Sequence, residues 1–154
     1  MVEAAAKHKG ISFIEVYQNC NIFNDGAFDY FAERTVRSDR VLYLEHGKPM
    51  VFGKNRDKGI RMNGAHPEVV TIGENGITEN DLLVHDIHLN DPSVAFMLAR
   101  MEQPEFPQPV GIFRAIERPT YEEMLVGQID ASIAKSGPGS LEKLINSGDM
   151  WIVE

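Results

Sequence analysis

Cys20 is the only cysteine among the 154 residues of the chain. It lies where an apolar stretch, residues 11–17, opens into a loop rich in Asn, Asp and Gly, residues 18–26. A single cysteine cannot form an intrachain disulfide, and it cannot enclose a metal by itself. The flanking asparagines favour turns, which can direct backbone N–H groups toward a sulfur or a phosphate. Cys20 is therefore either an inert buried thiol or one ligand of a site that other residues complete.

A second group of chemically capable side chains consists of His85, Asp86, His88 and Asp91. Histidine and aspartate are common ligands of divalent metals. The two histidines, however, fall at the end of a predicted strand and in a turn, without helical spacing and without an obvious third ligand. The pattern favours a polar turn that leads into a helix cap. A small metal-dependent hydrolase using His85, His88 and Asp91 is the alternative, and stoichiometric zinc or manganese without iron would favour it.

Composition limits the class of protein. Hydrophobic residues make up 43% of the chain and charged residues 25%, as in an ordinary soluble globular domain. The lone cysteine and the lack of an apolar leader predict a cytoplasmic protein, and no apolar run approaches the ~20 residues that span a membrane. The net charge of −8 argues against nucleic acid as a partner.

The charge is unevenly distributed. Residues 48–61 contain five cations and one acid, and so carry +4 while the rest of the chain carries −12. A solvated hairpin is the simpler interpretation of this segment. The functional interpretation is a docking patch for an acidic protein or for phosphate groups.

The elements that position Cys20 follow from the hydrophobic pattern. Residues 2–9 are predicted to be the end of a helix closed by Gly10, and residues 11–17 a buried parallel strand. A helix leading into a buried strand is half of an α/β crossover unit, which predicts an α/β fold. Nothing before Val2 caps the helix, so we expect the chain to begin inside a structural unit. Shorter strands are predicted at 41–44, 49–52, 69–72, 82–86 and 109–114.

The second half of the chain contains clear helix signals. Asp91 followed by Pro92 predicts a helix start, which Pro104 would terminate. Thr120 and Glu123 have the spacing of a capping box and predict a helix that continues to the Gly-rich stretch 137–139. A short final helix is predicted over residues 140–146.

Residues 8–25 resemble the distal half of the β subunit of 2-oxoacid:ferredoxin oxidoreductases, most closely the 2-oxoglutarate type. Most of this resemblance lies in the sequence of residues 17–24, Tyr-Gln-Asn-Cys-Asn-Ile-Phe-Asn. Weaker likenesses follow in the same order at residues 44–54, 57–64, 83–86, 104–114 and 117–121. The resemblance extends from about residue 4 to residue 121, and more loosely to residue 153.

The resemblance implies a function for the parent enzyme. Such enzymes oxidatively decarboxylate a 2-oxoacid with thiamine diphosphate and Mg²⁺, coenzyme A takes the acyl group, and a 4Fe–4S cluster passes electrons to ferredoxin. In that family a cysteine in the distal part of the β subunit completes the cluster ligation, and Cys20 falls at the matching place. Asn24 is expected to help order the cluster loop. An α subunit, ferredoxin, coenzyme A and the 2-oxoacid are the implied partners, and the basic segment is a candidate docking patch for ferredoxin or coenzyme A.

Several features of the family are missing from this sequence. It has no Gly-Asp-Gly motif for the diphosphate, because Gly148-Asp149 is followed by Met150, and the cluster would lack three thiolates. We therefore expect residues 1–20 to be the last helix and strand of a thiamine-diphosphate-binding α/β sheet domain, and residues 21–154 the C-terminal region of the β subunit. Such a chain should be inactive alone and prone to association. The alternative is a self-sufficient docking module with an inert cysteine.

Overall fold

The computed structural model describes residues 1–151 and 153, which form two compact units. The first unit contains Met1–Ala6 and Phe13–Ile116; the second contains Lys7–Ser12 and the chain from Glu117 onward. The described helices are α1 (Val2–Lys7), α2 (Asp29–Ala32), α3 (Arg37–Arg40), α4 (Ser93–Ala99), α5 (Tyr121–Ser136) and α6 (Leu141–Ile145). The described strands are β1 (Val41–Tyr43), β2 (Val51–Phe52), β3 (Lys58–Asn63), β4 (His66–Thr71) and β5 (Gln108–Val110).

The first unit contains two small sheets. β1 and β5 pair in parallel, with Leu42 opposite Pro109. Since parallel strands require a long connection, the chain between them has room for the second sheet and for α4. That second sheet is antiparallel in the order β2–β3–β4, with Val51 opposite Gly59 and Gly59 opposite Val70. Helices and strands, including a parallel pair, confirm the predicted α/β class.

The sheets of the first unit enclose two hydrophobic clusters. The larger is formed by Leu42, Met50, Phe52, Ile60, Leu98 and Met101. The smaller is formed by Val51, Val70 and Leu82. Because successive side chains of a strand point to opposite faces, Val51 faces the smaller cluster while its neighbours Met50 and Phe52 face the larger one. β2 is therefore short but buried on both faces.

The segment before Cys20 differs from its prediction. Residues 11–19 form no strand, and the side chains of Ile11 and Phe13 are more than nine-tenths exposed. The prediction of a buried parallel strand at 11–17 is wrong for this structure. A buried strand requires hydrogen-bonded neighbours at its edges, and no described strand pairs with this segment. The assignment of residues 1–20 to a thiamine-diphosphate-binding domain stays a prediction.

One further strand prediction was imprecise, and one strand was missed. Residues 82–86 form only an isolated bridge, Val84 with Pro49, rather than a strand, because this segment follows a 3₁₀ turn (Glu79–Asp81) and pairs with the chain just before β2. β3 was not predicted, although it is the central strand of its sheet. The basic segment, residues 48–61, contains β2, a turn and the first part of β3, so it is a hairpin as predicted. It is not the solvated hairpin expected, because residues 50–53 and 59–60 are buried.

The second unit is helical where it is regular. The Thr120 hydroxyl accepts the Glu123 N–H at 3.2 Å, and the Glu123 carboxylate accepts the Thr120 N–H at 2.9 Å, which confirms the predicted capping box. α5 ends at Gly137, whose φ of 77° suits a residue without Cβ. Within the described part of the chain, no helix has both the length and the apolarity that a membrane span requires.

Candidate functional site

Cys20 opens a tight turn that is closed by Asn24. The Asn24 N–H donates to the Cys20 carbonyl at 2.9 Å, and the two residues form an isolated antiparallel bridge. This hydrogen bond closes a turn over residues 20–24, which contains the N–H groups of Ile22 and Phe23. The Cys20 thiol itself is free and partly exposed. The turn thus presents the sulfur with backbone donors around it.

The side chain of Asn19 holds this turn together. Its amide group donates to the Asn21 and Asp25 side-chain oxygens, each at 2.8 Å. Its carbonyl oxygen accepts the Gly26 N–H at 2.9 Å. One asparagine therefore joins both ends of the loop. The sequence suggested that asparagines shape this loop, but not that Asn19 makes three of its hydrogen bonds.

The electrostatics of the turn favour a thiolate at Cys20. The N–H groups of Phe23 and Ile22 hydrogen-bond to the sulfur and lower the pKa of the Cys20 thiol; partial desolvation opposes them, and the Asn24 N–H adds to the lowering. Hydrogen bonds to the charged form favour that form. The thiolate is the form that ligates metals, and hydrogen bonds to sulfur also tune iron–sulfur clusters.

Asn24 contributes to the site through its backbone. Its N–H donates to the Cys20 carbonyl and lies near the sulfur, whereas its side chain makes no hydrogen bond within residues 1–151 and 153. The role of Asn24 in ordering the loop is therefore carried by the main chain in this structure. Any role of its side chain toward a cofactor stays a prediction.

An aromatic cluster packs behind the loop. Tyr17 lies 5.2 Å from Phe28 and 5.3 Å from Phe31, measured between ring centroids, and Tyr30 lies 4.9 Å from Phe31. The Tyr17 hydroxyl accepts a hydrogen bond from the Gln108 side chain at 2.9 Å, and burial raises the pKa of Tyr17. These contacts attach the otherwise irregular segment before Cys20 to the first unit.

A cleft of about 350 Å³ adjoins the cluster. Tyr17, Phe28 and Phe31 form its apolar side, while Asn19 and Arg37 supply polar groups. The cleft therefore reaches from the residue next to Cys20 to the helix α3.

The histidine-rich segment has a structural role here. His85 is only 1% exposed, and its Nε2 donates to the Ile112 carbonyl at 2.8 Å. His88 Nδ1 lies 2.7 Å from the Ala115 carbonyl, and the Asp91 carboxylate accepts the Ser93 N–H at 2.8 Å. The two histidine contacts tie the chain after β5 to the turn before α4, and the Asp91 contact is local to that turn, whose last residue, Pro92, is the N-cap of α4. Among the residues described, no three His, Cys, Asp or Glu side chains are grouped so that they could hold a metal ion.

Cys20 can supply one thiolate ligand to an iron–sulfur cluster, but the chain has no second cysteine. Its thiol is favoured as thiolate and is surrounded by N–H groups, which suits an iron–sulfur ligand. The other thiolates would have to come from outside this chain, since Cys20 is its only cysteine. The described residues offer no group of carboxylates for the Mg²⁺ of a diphosphate, so thiamine diphosphate does not fit here.

Comparison with known proteins agrees with the resemblance seen in the sequence. The chain is 37% identical over 157 aligned residues to 2-oxoglutarate oxidoreductase subunit KorB of Mycobacterium tuberculosis. The alignment covers 100% of this chain and 41% of KorB, so the chain spans about two fifths of the length of that relative. No protein-family model and no solved structure matches the chain. The predicted resemblance is confirmed: this chain is similar throughout its length to part of a 2-oxoglutarate oxidoreductase subunit.

Proposed function

We propose that this chain is part of the β subunit of a 2-oxoglutarate:ferredoxin oxidoreductase and that Cys20 supplies one thiolate ligand to a 4Fe–4S cluster. The observation that supports the enzyme class is the 37% identity to KorB along the whole chain. The observation that supports the ligand is the turn of residues 20–24, closed by the Asn24 N–H on the Cys20 carbonyl at 2.9 Å, in which the Phe23 and Ile22 N–H groups lower the pKa of the Cys20 thiol.

The residues that this chain contains determine which roles we assign to it and which we assign to the other parts of the enzyme. In the assembled enzyme, 2-oxoglutarate loses CO₂, coenzyme A receives the acyl group, and two electrons leave singly for two ferredoxins. Thiamine diphosphate and Mg²⁺ bind mainly to the upstream part of the β subunit, which this chain does not contain. Cys20 contributes the ligand, Asn19 and the backbone of Asn24 position it, and the chain alone does not turn over.

The test is anaerobic reconstitution of the complex of this chain, the remaining β segment and the α subunit. Cys20→Ser and Cys20→Ala remove the thiol, and Asn19→Ala is the matched control, which loosens the loop but keeps the thiol. We expect both Cys20 variants to lose cluster iron, cluster absorbance and ferredoxin reduction. Asn19→Ala should retain the cluster with a shorter lifetime in air, because the ligand is present but less firmly held.

The result that would overturn the ligand assignment is full iron content and normal turnover in both Cys20 variants. The thiol would then be inert. If the unmodified complex also failed to oxidise 2-oxoglutarate, the chain would be better described as an independent docking module.

A further inference from the structure

The outer edge of β4 has no strand beside it. β4 (His66–Thr71) is an edge strand of the sheet β2–β3–β4 and is six residues long. Among the described residues, none forms a hydrogen bond with the backbone of Val69 on this outer side. The Val69 and Thr71 side chains line an open cleft of about 890 Å³. An unpaired strand edge of this kind is a template on which another strand can pair.

The direction of the β4 backbone groups follows from β3. The Ile60 N–H donates to the Met50 carbonyl at 3.0 Å, and the Ile60 carbonyl accepts the Leu83 N–H at 2.8 Å. Both backbone groups of Ile60 therefore point away from β4, and Val69, which lies opposite Ile60, belongs to a pair without hydrogen bonds. Because hydrogen-bonded and non-hydrogen-bonded pairs alternate in an antiparallel ladder, every second residue of β4, counted from Val69, directs its backbone groups to the outer edge.

The outer edge is complementary to itself in charge and position. It presents the Pro67 carbonyl, the N–H and carbonyl of Val69, and the Thr71 N–H. Proline has no N–H, and the Thr71 carbonyl already accepts the Glu74 N–H at 3.4 Å. If a second copy lies antiparallel with Val69 facing Val69, these two residues exchange a pair of hydrogen bonds, and each Thr71 N–H faces a Pro67 carbonyl. Every positive N–H then meets a negative carbonyl, and no outward group is left without a partner.

Among antiparallel registers, this one alone satisfies the edge. A shift of two residues in one direction places the Val69 carbonyl opposite Pro67, which has no N–H to donate. A shift in the other direction places the Val69 N–H opposite the Thr71 carbonyl, which is already occupied. The side chains agree with the unshifted register, because Glu68 then lies opposite Val70 and no like charges face each other.

We propose that the outer edge of β4 binds a second copy of this chain, in an antiparallel strand pair with a twofold axis at Val69. Contacts in which both copies use the same surface are the common kind in homodimers. The proposal goes beyond the proposed function and does not rest on it. A six-residue strand is about 20 Å long. A contact of this length buries less than the roughly 1,200 Å² of a stable complex, so we expect a reversible dimer that depends on concentration.

The test is an exchange of charge at the twofold axis. The full chain is prepared with Val69→Lys and, separately, with Val69→Glu, and Met62→Lys and Met62→Glu are the matched controls. Val69 and Met62 are equally exposed, each at 37%, but Met62 belongs to β3, one strand away from the outer edge. Sedimentation equilibrium at several protein and salt concentrations gives the Kd of the dimer. Far-ultraviolet circular dichroism checks that each variant is folded.

Each Val69 variant alone should raise the Kd at least about tenfold, because two like charges then meet across the axis. An equal mixture of the two variants should restore the Kd to within about threefold of that of the unsubstituted chain, since a lysine then faces a glutamate. The Met62 variants should change the Kd less than about twofold, because their charges are screened from the partner. Higher salt should tighten the unsubstituted dimer, because each copy carries a net charge of −8.

A second pair of variants tests the backbone donor at Thr71. Thr71→Pro removes the outward N–H but keeps the pairing with β3, because Thr71 and Lys58 form a pair without hydrogen bonds and proline is tolerated at such edge positions. Thr71→Val keeps the N–H and the shape of the side chain. The proline variant should raise the Kd about tenfold or more, since both copies lose a hydrogen bond, and the valine variant should not.

An unsubstituted chain that stays monomeric at millimolar concentration would overturn the proposal. So would a Val69→Lys chain that associates as tightly as the unsubstituted one, or a mixture of folded Val69 variants that stays monomeric. Pairing at the edge only after another subunit is added would assign the edge to that subunit and would also overturn the proposal.

Discussion

Gly59, the second residue of β3, offers a quantitative test of the packing in the first unit. It is buried and pairs with Val51 on one side and Val70 on the other. A Cβ built at Gly59 would lie 2.4 and 2.6 Å from the two terminal methyl carbons of Leu82, and 3.1 Å from its Cγ. Favourable carbon–carbon contacts are about 3.5–4.0 Å long, so Gly59→Ala forces Leu82 to move by about 1 Å.

The loss of stability caused by Gly59→Ala depends on how far the Leu82 side chain can move. The Leu82 side chain is 6% exposed and packs with Val51 and Val70, so it cannot swing into solvent without opening the smaller cluster. Overpacking of this kind costs about 1–3 kcal/mol. Leu82→Ala should cost about 2–4 kcal/mol on its own, because it leaves a cavity. In the double variant the new methyl group occupies part of that cavity. The double variant should therefore lose about 1–3 kcal/mol less stability than the sum of the losses in the two single variants.

The assay is amide hydrogen exchange of β3 and its neighbours. The Ile60 N–H donates to the Met50 carbonyl at 3.0 Å and the Leu83 N–H donates to the Ile60 carbonyl at 2.8 Å, so both amides report the opening of this sheet. Their protection factors give the free energy of opening for each single variant and for the double variant. Additivity of the two changes within about 0.5 kcal/mol would refute the steric reasoning, because it would mean that the methyl group added at position 59 does not touch Leu82.

Two further predictions concern the site and the second unit. In the unassembled chain, alkylation of Cys20 by iodoacetamide should stay fast at pH values below the ordinary thiol pKa, because the lowered pKa of Cys20 leaves more thiolate at those pH values. The urea-unfolded chain is the control. Identical pH profiles of the folded and unfolded chains would contradict the turn geometry. Thr120→Ala should destabilise α5 by about 1 kcal/mol, since it removes the oxygen that accepts the Glu123 N–H. Thr120→Ser keeps that oxygen and should be nearly neutral in helix content by circular dichroism; equal losses in both variants would contradict the capping role.

The parts of the fold that the sequence predicted well are local in origin. The capping box at Thr120 and Glu123 needs only a four-residue window, and the structure contains both of its hydrogen bonds. The turn after Cys20 was predicted for the same reason, since asparagine and glycine determine backbone geometry within a few residues. The α/β class was inferred from a helix leading into a buried strand at residues 11–17; the class is confirmed, although that strand is absent.

The errors concern residues whose structure depends on distant partners. Phe13 and its neighbours have the apolar composition of a buried strand, but burial requires a sheet beside them, and in this structure Phe13 is 91% exposed. β3 was missed because its sequence, Lys-Gly-Ile-Arg-Met-Asn, contains a glycine and two cations. Its strand character comes from β2 and β4 on either side and from Leu82 filling the space above Gly59. β-propensity measures this kind of context more than it measures the residue.

The contribution of Asn19 likewise could not be read from its position beside Cys20. Its side chain orders the loop that holds Cys20 and also lines the cleft that Arg37 borders. A change at Asn19 should therefore loosen the loop around Cys20. In the unassembled chain, Asn19→Ala should move the pH profile of Cys20 alkylation toward that of the urea-unfolded chain, because the Asn21 and Asp25 side chains and the Gly26 N–H lose their common partner. An unchanged profile would mean that the turn of residues 20–24 keeps its geometry without the Asn19 side chain.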